Sequence, residues 1–228
     1  KIRRFIMKVE NTKACVFDAY GTLFDVNSAA SKCKKKLGSK WEGFANAWRT
    51  TQLEYTWLRS LMKKHKNFWE ITEDSLDHTM ETFKIKKEMK NELLDLYQKL
   101  SPYPEVTECL KGLKDKKIKI AILSNGTPDL LKKLVESNNI QNYFDDIFSI
   151  ESVGIYKPDS KVYEMPIRKY NCNPENICFM SSNTWDVSGG GLFGYNAVWV
   201  NRFNKVFDKL SYKPKFVINN LKELLEII

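Results

Sequence analysis

A chain of 228 residues, 43% hydrophobic and 13% aromatic, can bury one sizeable core, or a core with a smaller insertion, and is too apolar to be disordered throughout. Its net charge of +9 raises a nucleic-acid reading, but 31 of the 37 basic residues are lysines scattered among 28 acids, with no Arg-rich arm and no aromatic–basic alternation, so the charges read as solvated helix faces. No apolar run approaches the roughly 18 residues that span a bilayer, and the basic N-terminus KIRRFIMKVE lacks the apolar stretch and cleavage site of a signal peptide, which makes a cytoplasmic protein the expectation, with Met7 as a second candidate start.

In chain order, residues 12 to 18 read as a short buried strand: the apolar run Ala14-Cys15-Val16-Phe17 ends on Asp18, and a Gly-Thr turn follows. From about 26 to 100 the period is helical. Trp41, Phe44, Ala45 and Trp48 fall at i, i+3, i+4 and i+7, and Leu93, Leu94, Tyr97 and Leu100 repeat the spacing. Ser101-Pro-Tyr-Pro breaks this block. Strands are then expected at 118–123, 146–150, 177–180, 197–200 and 216–218. Helices are expected at 128–137, 158–170 and 185–193, with a final helix at the C-terminus. Strands alternating with helices imply βαβ units and a parallel sheet, so the fold class is α/β, Rossmann-like, with the helical block inserted after the first strand. The division is a core of residues 1–24 and 101–228 and a cap of residues 25–100.

Ligands of such sheets bind at the carboxyl ends of the strands. Those ends carry Asp18, Ser124-Asn125-Gly126 and Ser181-Ser182-Asn183. Thr127 followed by Pro128 reads as an N-cap with proline at the first helical position. Thr184 reads as the N-cap of the next helix, which puts Asp186 in its first turn. Helix N-termini bind anions. One strand-end carboxylate, two polar turns and a second acid therefore converge on an anion site. The five cysteines include no CxxC pair, and with two histidines they suggest no zinc site.

FDAYGTLFD (17–25), LSNG (123–126), YKPD (156–159) with Val162-Tyr163, SSNTWD (181–186) and, in the insertion, WRTTQLEYTWLRSLM (48–62) carry a resemblance to the haloacid dehalogenase superfamily, and within it to the L-2-haloacid dehalogenases. The resemblance runs from about residue 14 to 202. It implies hydrolysis of L-2-haloalkanoic acids with no cofactor and no metal. Superfamily phosphatases carry a second aspartate two residues after the first, as general acid; this chain carries Tyr20 there. Halide leaves unprotonated, so its displacement needs no acid.

By resemblance Asp18 is the nucleophile that forms an ester at C2, and Lys157 stands beside it as the counter-charge. Arg49 and Asn125 receive the halide, and Ser124 holds the substrate carboxylate. Thr22, Tyr163, Ser181 and Asn183 orient the carboxylates, and Asp186 activates the water. Tyr20, Leu53, Phe68 and Trp185 wall the alkyl group. Each has a plainer reading: Asp18 as a turn cap, Lys157 as a helix-start lysine, Arg49 in a surface ion pair, Asp186 on a helix dipole, Leu53 and Phe68 as core. A phosphatase on the same fold and a catalytically silent binding protein are the rival functions. The substrate is the only partner implied besides a homodimer, for which the Trp- and Leu-rich segment 41–62 offers apolar surface by analogy; neither nucleic acid nor membrane is expected.

Overall fold

The computed structural model describes residues 8–228. Met7 and the basic residues before it lie outside the described residues. Six strands form one parallel sheet: β1 (Ala14–Phe17), β2 (Lys119–Ser124), β3 (Asp146–Ser149), β4 (Ile177–Ser181), β5 (Asn196–Val200) and β6 (Phe216–Ile218), in the order β3-β2-β1-β4-β5-β6. Strand β1 is buried at every position, because it lies between β2 and β4 with helices on both faces. The chain builds one half of the sheet outward from β1 and then returns to build the other from β4. The point where strand order reverses thus lies at the end of β1. Register sets the ends level: Phe17 pairs with Ile122 and with Met180, and the Asp18 amide still donates to the Met180 carbonyl at 2.9 Å.

Six α-helices fall between β1 and β2, and the first five, which precede the Ser101-Pro-Tyr-Pro break, are α1 (Ser28–Lys32), α2 (Lys34–Leu37), α3 (Trp41–Leu61), α4 (Phe68–Phe83) and α5 (Lys90–Tyr97). Helix α3 buries Phe44, Ala45 and Trp48 as the periodicity requires, and the same stripe continues with two polar residues, Gln52 and Thr56. Helix α4 starts at a capping box in which Asn67 and Glu70 satisfy each other's backbone N–H groups. One continuous apolar core joins the sheet to these helices, through Leu23, Phe44, Trp48, Phe68 and Leu93 among others.

The remaining helices are α6 (Val106–Asp115), α7 (Pro128–Ser137), α8 (Ser160–Tyr170), α9 (Thr184–Phe193) and α10 (Leu224–Ile227). Two sequence expectations need correction. The alternation after Pro104 begins with α6 and not with a strand; its buried Val106, Cys109, Leu110 and Leu113 stand at i, i+3, i+4 and i+7. Asn183, not Thr184, is the N-cap residue of α9, and Thr184 is its first helical residue. Thr127 does cap α7, its hydroxyl accepting from the Leu130 amide at 3.3 Å. Among the described residues no helix is long and apolar enough to cross a membrane, and all five cysteines are free thiols.

Candidate active site

Asp18 leaves the sheet at the end of β1 and is almost wholly buried. Its two oxygens are treated differently. Oδ2 accepts three hydrogen bonds, from Thr22 Oγ1 at 2.9 Å, Asn183 Nδ2 at 2.8 Å and Ser181 Oγ at 3.3 Å. Oδ1 accepts one, from Lys157 Nζ at 3.1 Å. The tight turn after Asp18 has Gly21 at φ 90°, a backbone conformation that suits glycine, and it brings Thr22 back over the carboxylate. Thr22 Oγ1 also accepts from the Ser182 amide at 2.8 Å, tying the end of β1 to the end of β4.

Lys157 is 1% exposed and bridges two carboxylates, donating to Asp186 Oδ2 at 2.9 Å as well as to Asp18. Burial disfavours its charge, but the two carboxylates outweigh burial and hold its pKa above the ordinary lysine value. Asp186, in the first turn of α9, is wholly buried; Tyr163 Oη donates to its Oδ1 at 2.7 Å. Burial is the largest influence on it, opposed by Lys157 and reinforced by Asp18, and its pKa is raised from 3.8 to about 6. The Tyr163 phenol is driven well up, first by burial and then by Asp186, so it stays a neutral donor.

Above the sheet, Arg49 on α3 donates through Nη1 to Gln52 Oε1 at 2.9 Å and through Nη2 to the Tyr20 carbonyl at 3.3 Å. Asn183 Nδ2 donates to that same carbonyl at 3.1 Å, so one backbone oxygen joins α3 to the end of β4. The Tyr20 ring packs against Phe68 at 5.0 Å and Tyr97 at 5.7 Å between centroids. Its hydroxyl is buried with no partner among the described residues, and burial raises its pKa well above the ordinary phenol value. A phenol whose pKa lies well above the ordinary value is a much weaker proton donor near neutral pH than a carboxylic acid tuned close to it.

Of the remaining residues singled out in the sequence, Asn125 Oδ1 accepts from the Lys157 amide at 3.2 Å, and Ser124 Oγ accepts from the Gly126 amide at 3.1 Å. Leu53 lines a polar cleft of about 440 Å³ with Arg49 and Asn183. Trp185 meets Trp57 edge-on at 5.4 Å and borders an apolar cavity of about 620 Å³ that also touches Lys157.

Sequence reading missed two groups here. Gln52, Thr72 and Tyr97 form a buried polar network against Arg49. The only local signal is the i, i+3 spacing of Arg49 and Gln52. Arg202, just beyond β5, pairs with Glu105 at 2.7 Å, donates to Ser182 Oγ at 2.9 Å and to the Thr22 carbonyl at 2.8 Å, and stacks 3.9 Å over Tyr103. It braces the two turns that hold Asp18.

A family model of haloacid dehalogenase-like hydrolases matches residues 12–194. Among curated relatives, (S)-2-haloacid dehalogenase 1 of Pseudomonas sp. (strain CBS-3) is 40% identical over 219 residues, covering 95% of this chain and 96% of the relative. Haloacetate dehalogenase H-2 of Moraxella sp. (strain B) is 35% identical over 222 residues, 96% of this chain and 99% of the relative. Among solved structures, the L-2-haloacid dehalogenase of Xanthobacter autotrophicus with chloropropionic acid covalently bound superposes with a TM-score of 0.88 at 31% identity, covering 94% of this chain and 97% of that one. With the family model spanning most of its length, the chain belongs to the haloacid dehalogenase-like hydrolases.

Proposed function

We propose that this chain is an (S)-2-haloacid dehalogenase, a hydrolase that removes halide from L-2-haloalkanoic acids through an aspartyl ester. The observation that carries the reading is the arrangement at Asp18. Among the described residues its Oδ2 is held by three donors, Oδ1 meets only Lys157 and keeps lone pairs for attack, and Tyr20 stands where a phosphatase needs an acid. The (S)-2-haloacid dehalogenase from Pseudomonas and the Xanthobacter structure with its covalent chloropropionic acid support it.

In the first step Asp18 Oδ1 bonds to C2 as the carbon–halogen bond breaks, and the halide leaves with the bonding pair toward Arg49 and Asn125. Ser124 and the N-terminal N–H groups of α7 hold the substrate carboxylate. In the second step water attacks the ester carbonyl of Asp18, giving up its proton to Asp186. The C2–O bond survives, so the product hydroxyl carries an oxygen from Asp18, and the proton passes to that alkoxide. Thr22, Ser181 and Asn183 orient the nucleophile, Tyr163 orients Asp186, and Tyr20, Leu53, Phe68 and Trp185 form the apolar wall.

Residues 25–100 serve as a cap over a core of 1–24 and 101–228. The exposed stripe Leu58, Leu61 and Met62 at the end of α3 supports a homodimer, and the free thiols support a reducing, cytoplasmic setting. The test is halide release from 2-chloropropionate in excess EDTA, set against phosphate release from p-nitrophenyl phosphate. Chloride without added metal is expected; strictly Mg²⁺-dependent phosphate release would replace this reading with the phosphatase one.

A further inference from the structure

We propose that Gln52, anchored by Thr72 and Tyr97, is the positioning residue that aims the Arg49 guanidinium at the departing halide. The proposal rests on the reading of Arg49 as the halide receptor. Gln52 is 1% exposed, on a helical stripe that otherwise buries Phe44, Ala45 and Trp48. A carboxamide is costly there unless its donors and acceptor are met.

They are met by residues from three helices. Nε2 donates to Thr72 Oγ1 at 2.7 Å and to Tyr97 Oη at 2.9 Å; Oε1 accepts from Arg49 Nη1 at 2.9 Å and lies 3.3 Å from Tyr97 Oη. The hydrogen of Thr72 is committed to the Phe68 carbonyl at 2.7 Å, so toward Gln52 that hydroxyl can only accept. The amide nitrogen must therefore face Thr72, and the amide oxygen must face Arg49.

The consequence is a guanidinium fixed at two points, Nη1 on Gln52 and Nη2 on the Tyr20 carbonyl, with its other N–H donors kept for an anion. A halide ion is spherical and imposes no geometry of its own, so the receptor has to be oriented in advance. Both anchors are neutral. They orient the fork without quenching its charge, whereas a carboxylate at position 52 would pair with it and compete with the halide. Gln52 touches no reacting atom.

A purely structural role for Gln52, filling the space between α3, α4 and α5, would disturb both chemical steps alike. A positioning role disturbs only alkylation and halide binding, because the halide has gone before the ester is hydrolysed. The full-length protein and its Gln52→Glu, Gln52→Leu and Tyr97→Phe variants are compared in rapid-quench single turnovers of L-2-chloropropionate, with bromide binding read from tryptophan fluorescence. Gln52→Glu should slow alkylation by about tenfold or more and weaken bromide binding by about tenfold, with ester hydrolysis within about twofold of wild type. Tyr97→Phe keeps the ring against Tyr20 and should move the same two quantities by about threefold. If Gln52→Glu does not fold, the other two variants decide. Wild-type bromide affinity in Gln52→Leu and Tyr97→Phe, or equal losses in both steps, overturns the proposal. A wild-type protein that binds bromide but turns over no haloacid would remove the activity assigned above and leave the bromide comparison to judge Gln52.

Discussion

Lys157 serves two carboxylates that live in different surroundings. Asp18 is wrapped by hydrogen-bond donors at the mouth of the sheet, whereas Asp186 lies wholly inside, where burial raises its pKa to about 6. A carboxyl poised near neutrality suits a group that must take a proton from water and return it. Below about pH 6 it is protonated and cannot take that proton, so ester hydrolysis should slow as pH falls through that value, while alkylation makes no use of it. At pH 5 a rapid-quench experiment should show a burst of halide close to one equivalent, followed by a slow steady state. Burst and steady state declining together would remove Asp186 from the second step. The stability linkage has its own sign: the folded chain holds this proton more tightly than the unfolded chain, so the contribution of Asp186 is fully present below about pH 3.8 and is lost as pH rises through about 6.

At the scale of elements, α9 positions Asp186 by lying unusually close to its neighbours. A Cβ on Gly189 would stand 2.6 Å from Tyr163 Oη and 2.7 Å from Pro158 Cβ, and one on Gly190 would stand 2.8 Å from the Phe179 ring. Alanine at 189 would improve helix propensity by roughly 0.5–1 kcal/mol, but crowding a packed, ring-bound neighbour costs roughly 1–3 kcal/mol. Gly189→Ala should therefore lower Tm by a few degrees, at about 2–4 °C per kcal/mol for a chain of this size. It should also slow ester hydrolysis by pushing Tyr163 off Asp186; an unchanged Tm with an unchanged rate would show the helix has room to spare. Which elements the sequence disclosed follows from similar physics. Central parallel strands are unbroken apolar runs followed by polar turns, so Asp18, Ser124 and Ser181 could be placed at strand ends. Helix α6 was harder, because its N-cap Glu105 makes no side-chain capping bond and no start signal precedes the stripe. The N-cap of α9 falls one residue before Thr184, on Asn183, whose side chain makes no capping bond because it is spent on Asp18 and the Tyr20 carbonyl. The Gln52 network stayed hidden because Thr72 and Tyr97 lie 20 and 45 residues along the chain.

For the whole molecule, two proposals concern what the assembled chain does. Leu58, Leu61 and Met62 are 50%, 80% and 59% exposed on one face at the end of α3, beside the apolar cavity bordered by Trp57 and Trp185. Sedimentation should find a dimer that Leu61→Glu converts to monomer, and a monomeric wild type at tens of micromolar would remove the dimer. Stereochemistry tests the site as one object. In the proposed mechanism the carboxylate is held at Ser124 and the start of α7, the halogen points at Arg49 and Asn125, and Asp18 faces C2 from the side opposite the departing halide. Carboxylate and halogen fix two positions at a tetrahedral carbon, with Asp18 in line behind the halogen; the other two go to hydrogen and the alkyl group, and only one enantiomer puts the alkyl group against Tyr20, Phe68 and their neighbours. Similarity to (S)-2-haloacid dehalogenases makes that enantiomer L. Rear attack inverts C2 once, and hydrolysis at the ester carbonyl leaves C2 untouched. L-2-chloropropionate should yield D-lactate, with the D-substrate slower by about a hundredfold or more, equivalent to about 2.7 kcal/mol in transition-state binding. Chiral chromatography of the lactate decides it: L-lactate from the L-substrate would require either a second inversion, by water attacking C2 of the ester instead of its carbonyl, or front-side displacement, and equal rates for both enantiomers would mean that these directions are not fixed at once.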